Sequence, residues 1–285
     1  MGTRPLRQYY DGVMISFGDD RALVDGWTRH RRRLVAALEA LTDEQWRTTT
    51  RCTNWDARGV VSHLVTVDGF WTGSMRGVLT RAEPTSFIRG FDPSTGTDAF
   101  VEPLLALPTD AILETFVDGN EAFVATVETF ADDDWDGVGE SPVGHVSARM
   151  LLAHAYWDSW LHERDILRPL GLAPPVERDD LLAATSYTLV FGALQGGLLD
   201  DDAPVGPGPD APIDVTLRFA DLPDDALRVT IDRGVGVVRS SGTDTVPGGS
   251  ALQLVESVTG RESSDALRVL PADLAAELDR AACSL

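Results

Sequence analysis

The sequence predicts an α+β protein, with a four-helix bundle over residues 18–170 and a small α/β domain with an antiparallel sheet over 176–285. Three observations predict it. Four stretches of the first half repeat apolar residues at helical spacing. Pro169-Leu-Gly-Leu-Ala-Pro-Pro175 then breaks both composition and periodicity. Beyond that break, short stretches alternate apolar and polar residues as strands do.

Residues 1–20 are mixed, with Tyr9, Tyr10 and Phe17 as candidate packing anchors. The first helix, Arg21 to Leu41, is read from Leu23, Trp27, Leu34, Leu38 and Leu41. Thr42-Asp-Glu-Gln-Trp46 is a short helical turn, and Arg51-Cys-Thr-Asn54 connects. The second helix is expected to start near Thr53 or Asn54, either of which can cap, with Asp56 in the first turn. Its inward stripe reads Val60, His63 or Leu64, Val67 and Trp71. Glu83 to Thr97 is loop-like, broken by Pro84, Gly90, Pro93 and Gly96, with Phe87, Ile88 and Phe91 placed to close over a cavity or to pack. The third helix, Thr109 to Phe130, rests on Ile112, Leu113, Phe116, Phe123, Val127 and Phe130. Asp132-Asp-Asp-Trp135 and Gly137-Val-Gly139 interrupt it before a fourth helix over residues 146–168. After the break come a helix from Asp179 to Leu199, a loop through Asp200–Asp210, and strands at Ile213–Phe219, Leu227–Ile231 and Val235–Arg239. Short helices at Ser250–Val258 and Ala272–Ala282 flank Thr259-Gly-Arg-Glu262.

Composition narrows the function. The chain has 285 residues, 43% hydrophobic and 24% charged, with a formal net charge of −21. A chain this acidic, without a basic stripe, is not expected to bind nucleic acid or an anionic membrane. No apolar run approaches a membrane span. The N-terminus lacks the apolar core of a signal peptide, and Cys52 and Cys283 form no framework, so a cytoplasmic protein is expected. There is no P-loop, no Gly-rich dinucleotide turn after a strand and no Gly-x-Ser-x-Gly elbow.

The chemistry is concentrated in the fourth helix. His154, Asp158 and His162 stand at i, i+4 and i+8, on one face, among Leu151, Trp157 and Leu161. Imidazoles and a carboxylate on an apolar face need partners, since an unpartnered buried polar group costs about 1–3 kcal/mol. A divalent metal ion satisfies several at once. Bundles build such sites from facing helices, and His63 of the second helix is the natural third ligand beside Asp158 and His162.

Cys52-Thr-Asn-Trp-Asp-Ala-Arg-Gly-Val-Val-Ser-His-Leu64, Phe91-Asp-Pro93, Trp157-Asp-Ser-Trp-Leu-His-Glu-Arg-Asp165 and Gly260-Arg261 together resemble the mycothiol-dependent maleylpyruvate isomerase family. The resemblance implies a DinB-like metal-binding four-helix bundle followed by a sterol-carrier-protein-like domain. It implies His63, Asp158 and His162 as metal ligands. The characterised isomerases carry glutamate where this chain has Asp158, whose shorter arm must bring the helix closer or admit a water. His154 is then a partner that steadies a ligand, a replacement ligand, or a wall of the cavity.

The resemblance further implies a divalent metal, zinc being expected, and mycothiol or a similar thiol. Residue types alone do not choose zinc over other first-row metals. Three protein ligands leave a coordination position open, and a thiol bound there loses its proton. Addition to a small electrophilic substrate then gives cis–trans isomerisation if the thiol leaves, or S-transfer if it stays. The alternative is a small-molecule binding protein that keeps the metal without catalysis. Arg261 is a candidate catalytic cation for an anionic substrate, or else pins a surface turn; Arg164 and Asp165 pair with each other or with neighbouring helices. Cys52 is read as a small apolar residue. The expected assembly is a monomer or dimer.

Overall fold

The computed structural model describes residues 13–16, 19–82, 96–141, 144–193, 212–232, 234–263 and 265–282. The anchors Tyr9, Tyr10 and Phe17, the aromatic loop with Phe87, Ile88, Phe91 and Pro93, the loop over 200–210 and Cys283 lie outside them.

The bundle consists of α1 (Asp20–Glu39), α3 (Ala57–Thr80), α5 (Thr109–Val127) and α6 (Ala148–Leu167), with the single turn α2 (Asp43–Trp46) between the first two. Local chemistry sets the starts. The side chains of Asp19, Asp56 and Ser147 accept from backbone N–H groups inside α1, α3 and α6, and Thr42 and Gln45 close a capping box on α2. Asp56, expected in the first turn of the second helix, is thus its cap, and the helix starts at Ala57 rather than near Thr53. The expected loop runs into α4 (Gly96–Leu105) at its last two residues, and this helix, unforeseen between Thr97 and Thr109, is laid on α3. Between α5 and α6 a short hairpin, β2 (Val138–Ser141) and β3 (Gly144–Ser147), also stands where a break was expected.

In the second half, α7 (Arg178–Ala193) is buried from Asp180 onward and lies between α6 and the sheet. Strands β4 (Ile213–Phe219), β5 (Leu222–Ile231) and β6 (Val235–Ser240) pair antiparallel, as expected. The edges are parallel: β7 (Val246–Pro247) pairs with β4, and β1 (Val13–Ser16) pairs with β6, Val13 opposite Val235. The sheet is therefore mixed, and its first strand precedes the bundle in the chain. Helices α8 (Ala251–Val258) and α9 (Ala272–Ala282) pack on α7.

One apolar cluster runs from Trp27 and Trp71 of the bundle through α6 and α7 to Val229 and Leu278. A second, with Leu34, Leu38, Val60, Leu64 and Ile166, fills the far end of the bundle, and Val67 packs against both. Between α1 and α3 the buried guanidinium of Arg31 lies 4.1 Å from the Trp27 ring and 5.0 Å from that of Phe116, and donates to Asp68 at 2.7 and 3.2 Å. Each buried ion is tolerable only with its partner. Asp68→Ala is expected to lower the unfolding free energy in urea by about 3–5 kcal/mol, and adding Arg31→Met to it to recover most of that loss.

Candidate metal centre

Helices α3 and α6 meet along two matched rows. The His63 ring lies 4.9 Å from that of His162, and the Trp71 ring lies 4.8 Å from that of His154. Residue numbers rise on one helix as they fall on the other, so the helices are antiparallel. The rows place His63, Asp158 and His162 at one end of the seam. His63 Nε2 stands 3.6 Å from Asp158 Oδ2, and His162 Nε2 stands 3.4 Å from Asp158 Oδ1. One ligand atom from each of the three lies within 4.8 Å of the others.

These residues suit a metal ion. Asp158 Oδ2 is buried and without a hydrogen-bond partner. Ligand–metal distances of about 2.0–2.2 Å are compatible with donor atoms this far apart. Burial alone would raise the Asp158 carboxyl, but His162 and His63 outweigh it and hold it well below the usual carboxylate range. Burial would likewise lower His162, but Asp158, Cys52 and Asp165 hold its imidazolium well above the usual value. Protons and a cation therefore compete for the same space.

His162 is aimed from behind. Its Nδ1 lies 3.0 Å from Oδ2 of Asp165, a residue with no exposed surface. Asp165 also accepts from Arg51 Nε at 3.0 Å, and from Arg261 Nε and Nη2 at 3.2 and 2.9 Å. Burial would raise its pKa, yet His162 and Arg261 hold it well below the usual range. An ionised Asp165 accepts the Nδ1 proton, so Nε2, aimed at Asp158, is the nitrogen left for a cation that displaces its proton. Arg51 reaches on to Glu256 of α8 at 2.5 Å, and Arg168 pairs with Glu256 and Glu262.

Arg261 therefore enters the site as a clamp on Asp165, with its side chain 19% exposed. Gly260, with φ of +67°, turns the chain towards it, and Arg261 N–H bonds back to the Glu256 carbonyl at 2.9 Å. Asp165 does not pair with Arg164, whose guanidinium instead lies 3.4 Å over the Trp160 ring. Cys52 Sγ sits 3.4 Å from Asp165 Oδ2 and 3.7 Å from His162 Nδ1. Cys52, His162 and Asp165 are close enough together to bind an ion. With two arginines on Asp165, this trio backs the first site rather than forming a second.

His63 is held by Trp55, whose ring lies 5.3 Å away and whose Nε1 donates to Asp98 of α4 at 2.9 Å. A Cβ at Gly59 would come within 2.8 Å of Trp55 Cβ and 2.9 Å of Cγ, so this first turn of α3 requires glycine. His154 falls outside the candidate ligand groups. The roles of Asp165, Arg51 and Trp55 escaped the sequence reading. The one local signal for them is His162-x-x-Asp165, a spacing that puts both on one helical face.

This geometry defines a class of protein: a helical bundle with a three-ligand candidate metal site that is partly exposed at His63 and Asp158. Residues 27–167 match the family described as mycothiol maleylpyruvate isomerase N-terminal domain, so this stretch of the chain carries that domain. The fold is similar to a crystal structure of the mycothiol-dependent maleylpyruvate isomerase, with a TM-score of 0.57 at 16% identity over 86% of this chain and 89% of that one. A structure of a histidine-to-alanine mutant of the isomerase gives a TM-score of 0.56 at 15% identity, with coverage of 86% and 89%. At such identity the likeness is one of fold. No curated protein matches the chain in sequence.

Asp165→Asn should weaken metal binding about 10–100-fold, the usual cost of losing a residue that orients a ligand, measured by chelator competition. Gly59→Ala should displace Trp55, so its fluorescence should shift in the metal-free protein while the secondary structure by circular dichroism is kept.

Proposed function

We propose that the chain is a metal-dependent enzyme that uses a low-molecular-weight thiol, mycothiol, for cis–trans isomerisation of a small electrophilic acid of the maleylpyruvate type. The observation that carries this reading is the convergence of His63, Asp158 and His162 around the unpartnered Asp158 oxygen. The bundle, residues 18–170, supplies these ligands, and residues 176–285 supply Arg261 and Glu256, which steady His162 through Asp165 and Arg51.

Bound there, a divalent ion such as zinc would act as a Lewis acid that holds the thiol as thiolate. The protein's own contributions are positional. Asp165 fixes the tautomer of His162. Trp55 covers one face of His63 and limits water. Arg261 places positive charge beside the site, within electrostatic reach of Asp158 and Cys52, and is the proposed cation for a substrate carboxylate. Asp158 favours a second reading, S-transfer: its carboxylate is shorter than the family's glutamate, which leaves more room at the ion. The two reactions differ in whether the thiol leaves.

Purified protein is expected to carry about one equivalent of metal and to convert maleylpyruvate only when mycothiol is present. His63→Ala and His162→Ala should each lose the metal, measured by elemental analysis, together with the activity. Metal-free native protein that takes up none on addition would overturn the proposal. A stable thioether product in place of the isomer would favour S-transfer.

A further inference from the structure

Helix α6 is enclosed along its length. From Met150 to Leu167 only Asp158 is more than buried, and the next most open residues are His154 at 8%, His162 at 7% and Trp157 at 6%. Solvent thus reaches this helix along one stripe, and the stripe is longer than the metal site. His154 stands one turn beyond Asp158, about 6 Å along the helix axis. It lies opposite Trp71 as His162 lies opposite His63.

His154 is firmly held. Tyr187 of α7 stacks on its ring at 4.8 Å and 26°. Trp71 and Trp157 close in at 4.8 and 5.8 Å. Yet its Nδ1 is buried without a partner, and so is the Tyr187 hydroxyl. Leaving such an atom without a partner is destabilising. Burial, helped by His63 and opposed by Asp158, holds the imidazole at about 4. It is therefore neutral near pH 7, able to donate one hydrogen bond and accept another. It is also electrostatically coupled to both His63 and Asp158, which places it beside the candidate metal site.

We propose that His154 contacts the substrate: its imidazole hydrogen-bonds a carboxylate or carbonyl oxygen at the end of a small acid whose other end lies at the metal. The proposal rests on the reading above for the metal end. One helical turn, about 6 Å along the axis, separates Asp158 from His154, which is the scale of a small dicarboxylic acid. A neutral ring also suits a place beside a bound cation, where an imidazolium would be repelled. The aromatic clamp fixes its direction without using its hydrogen-bonding capacity.

The test compares native protein with His154→Phe, which keeps a ring against Tyr187, and His154→Gln, which keeps a donor. All three are loaded with zinc and titrated with succinate, an unreactive acid of suitable length, by calorimetry. Zinc content and mycothiol binding should be the same in all three. Succinate affinity, and kcat/KM for maleylpyruvate, should fall about tenfold or more in His154→Phe and by less in His154→Gln. Loss of zinc from His154→Phe would make the residue a ligand and overturn the proposal. Succinate affinity within twofold of native, or no binding in any of them, would overturn it too. If the native protein fails to convert maleylpyruvate but the succinate difference stands, the isomerase reading falls and the assignment of His154 holds.

Discussion

One buried carboxylate, Asp165, joins the parts of this molecule. It accepts from a metal-ligand candidate, His162, and from arginines on two distant stretches of chain, Arg51 and Arg261. Taking such charges out of water costs several kcal/mol per ion, and only near-complete mutual pairing offsets it. The arrangement therefore demands that α6 run through the middle of the protein, that the connector before α3 lie against it, and that the turn after α8 dock from the other side. Arg261 and Glu256 fall outside the stretch 27–167 that matches the family's N-terminal domain. The geometry of His162 is thus set partly by a region beyond the domain that bears the candidate ligands.

The candidate site lies along the seam of α3 and α6, bordered by two apolar clusters that Val67 bridges. Such a seam is stiff, because close-packed side chains on both flanks leave the candidate ligands few alternative rotamers. The same packing explains why so few residues of α6 meet solvent. A fully enclosed helix can open only where its neighbours leave room, and here the open stripe carries two histidines, a tryptophan and an aspartate.

What the sequence made legible was local. The recurrence of His154, Asp158 and His162 at helical spacing is a property of one element, and the pairing of His63 with them needed only the assumption of a bundle. Strand β4 and the second half of β5 alternate clearly enough to be read directly, β6 does so more loosely, and the first half of β5, from Leu222, went unread. α4 was hidden because Gly96 and Pro103 signal breaks, although proline inside this short helix is accommodated. β2 and β3 are four residues each, too short for a period to register. The clamp on Asp165 was illegible for another reason: its partners lie far away in the chain, and spacing rules report only neighbours along one element.

Strand β1 shows how far such non-local design extends. It pairs with β6 across almost the whole chain, Val13 beside Val235, with the entire bundle lying between them in sequence. Closing so long a loop carries an entropy cost that rises with the logarithm of its length, and a parallel partner cannot be reached by a simple hairpin. Local helices and the β4–β5–β6 meander can form first, while β1 must wait until both of its flanking units exist. Until it arrives, β6 presents an unpaired edge to other chains in the same state. The last stitch of the fold thus lies ahead of the bundle in the chain, and a strand made before the bundle waits for a partner made after it.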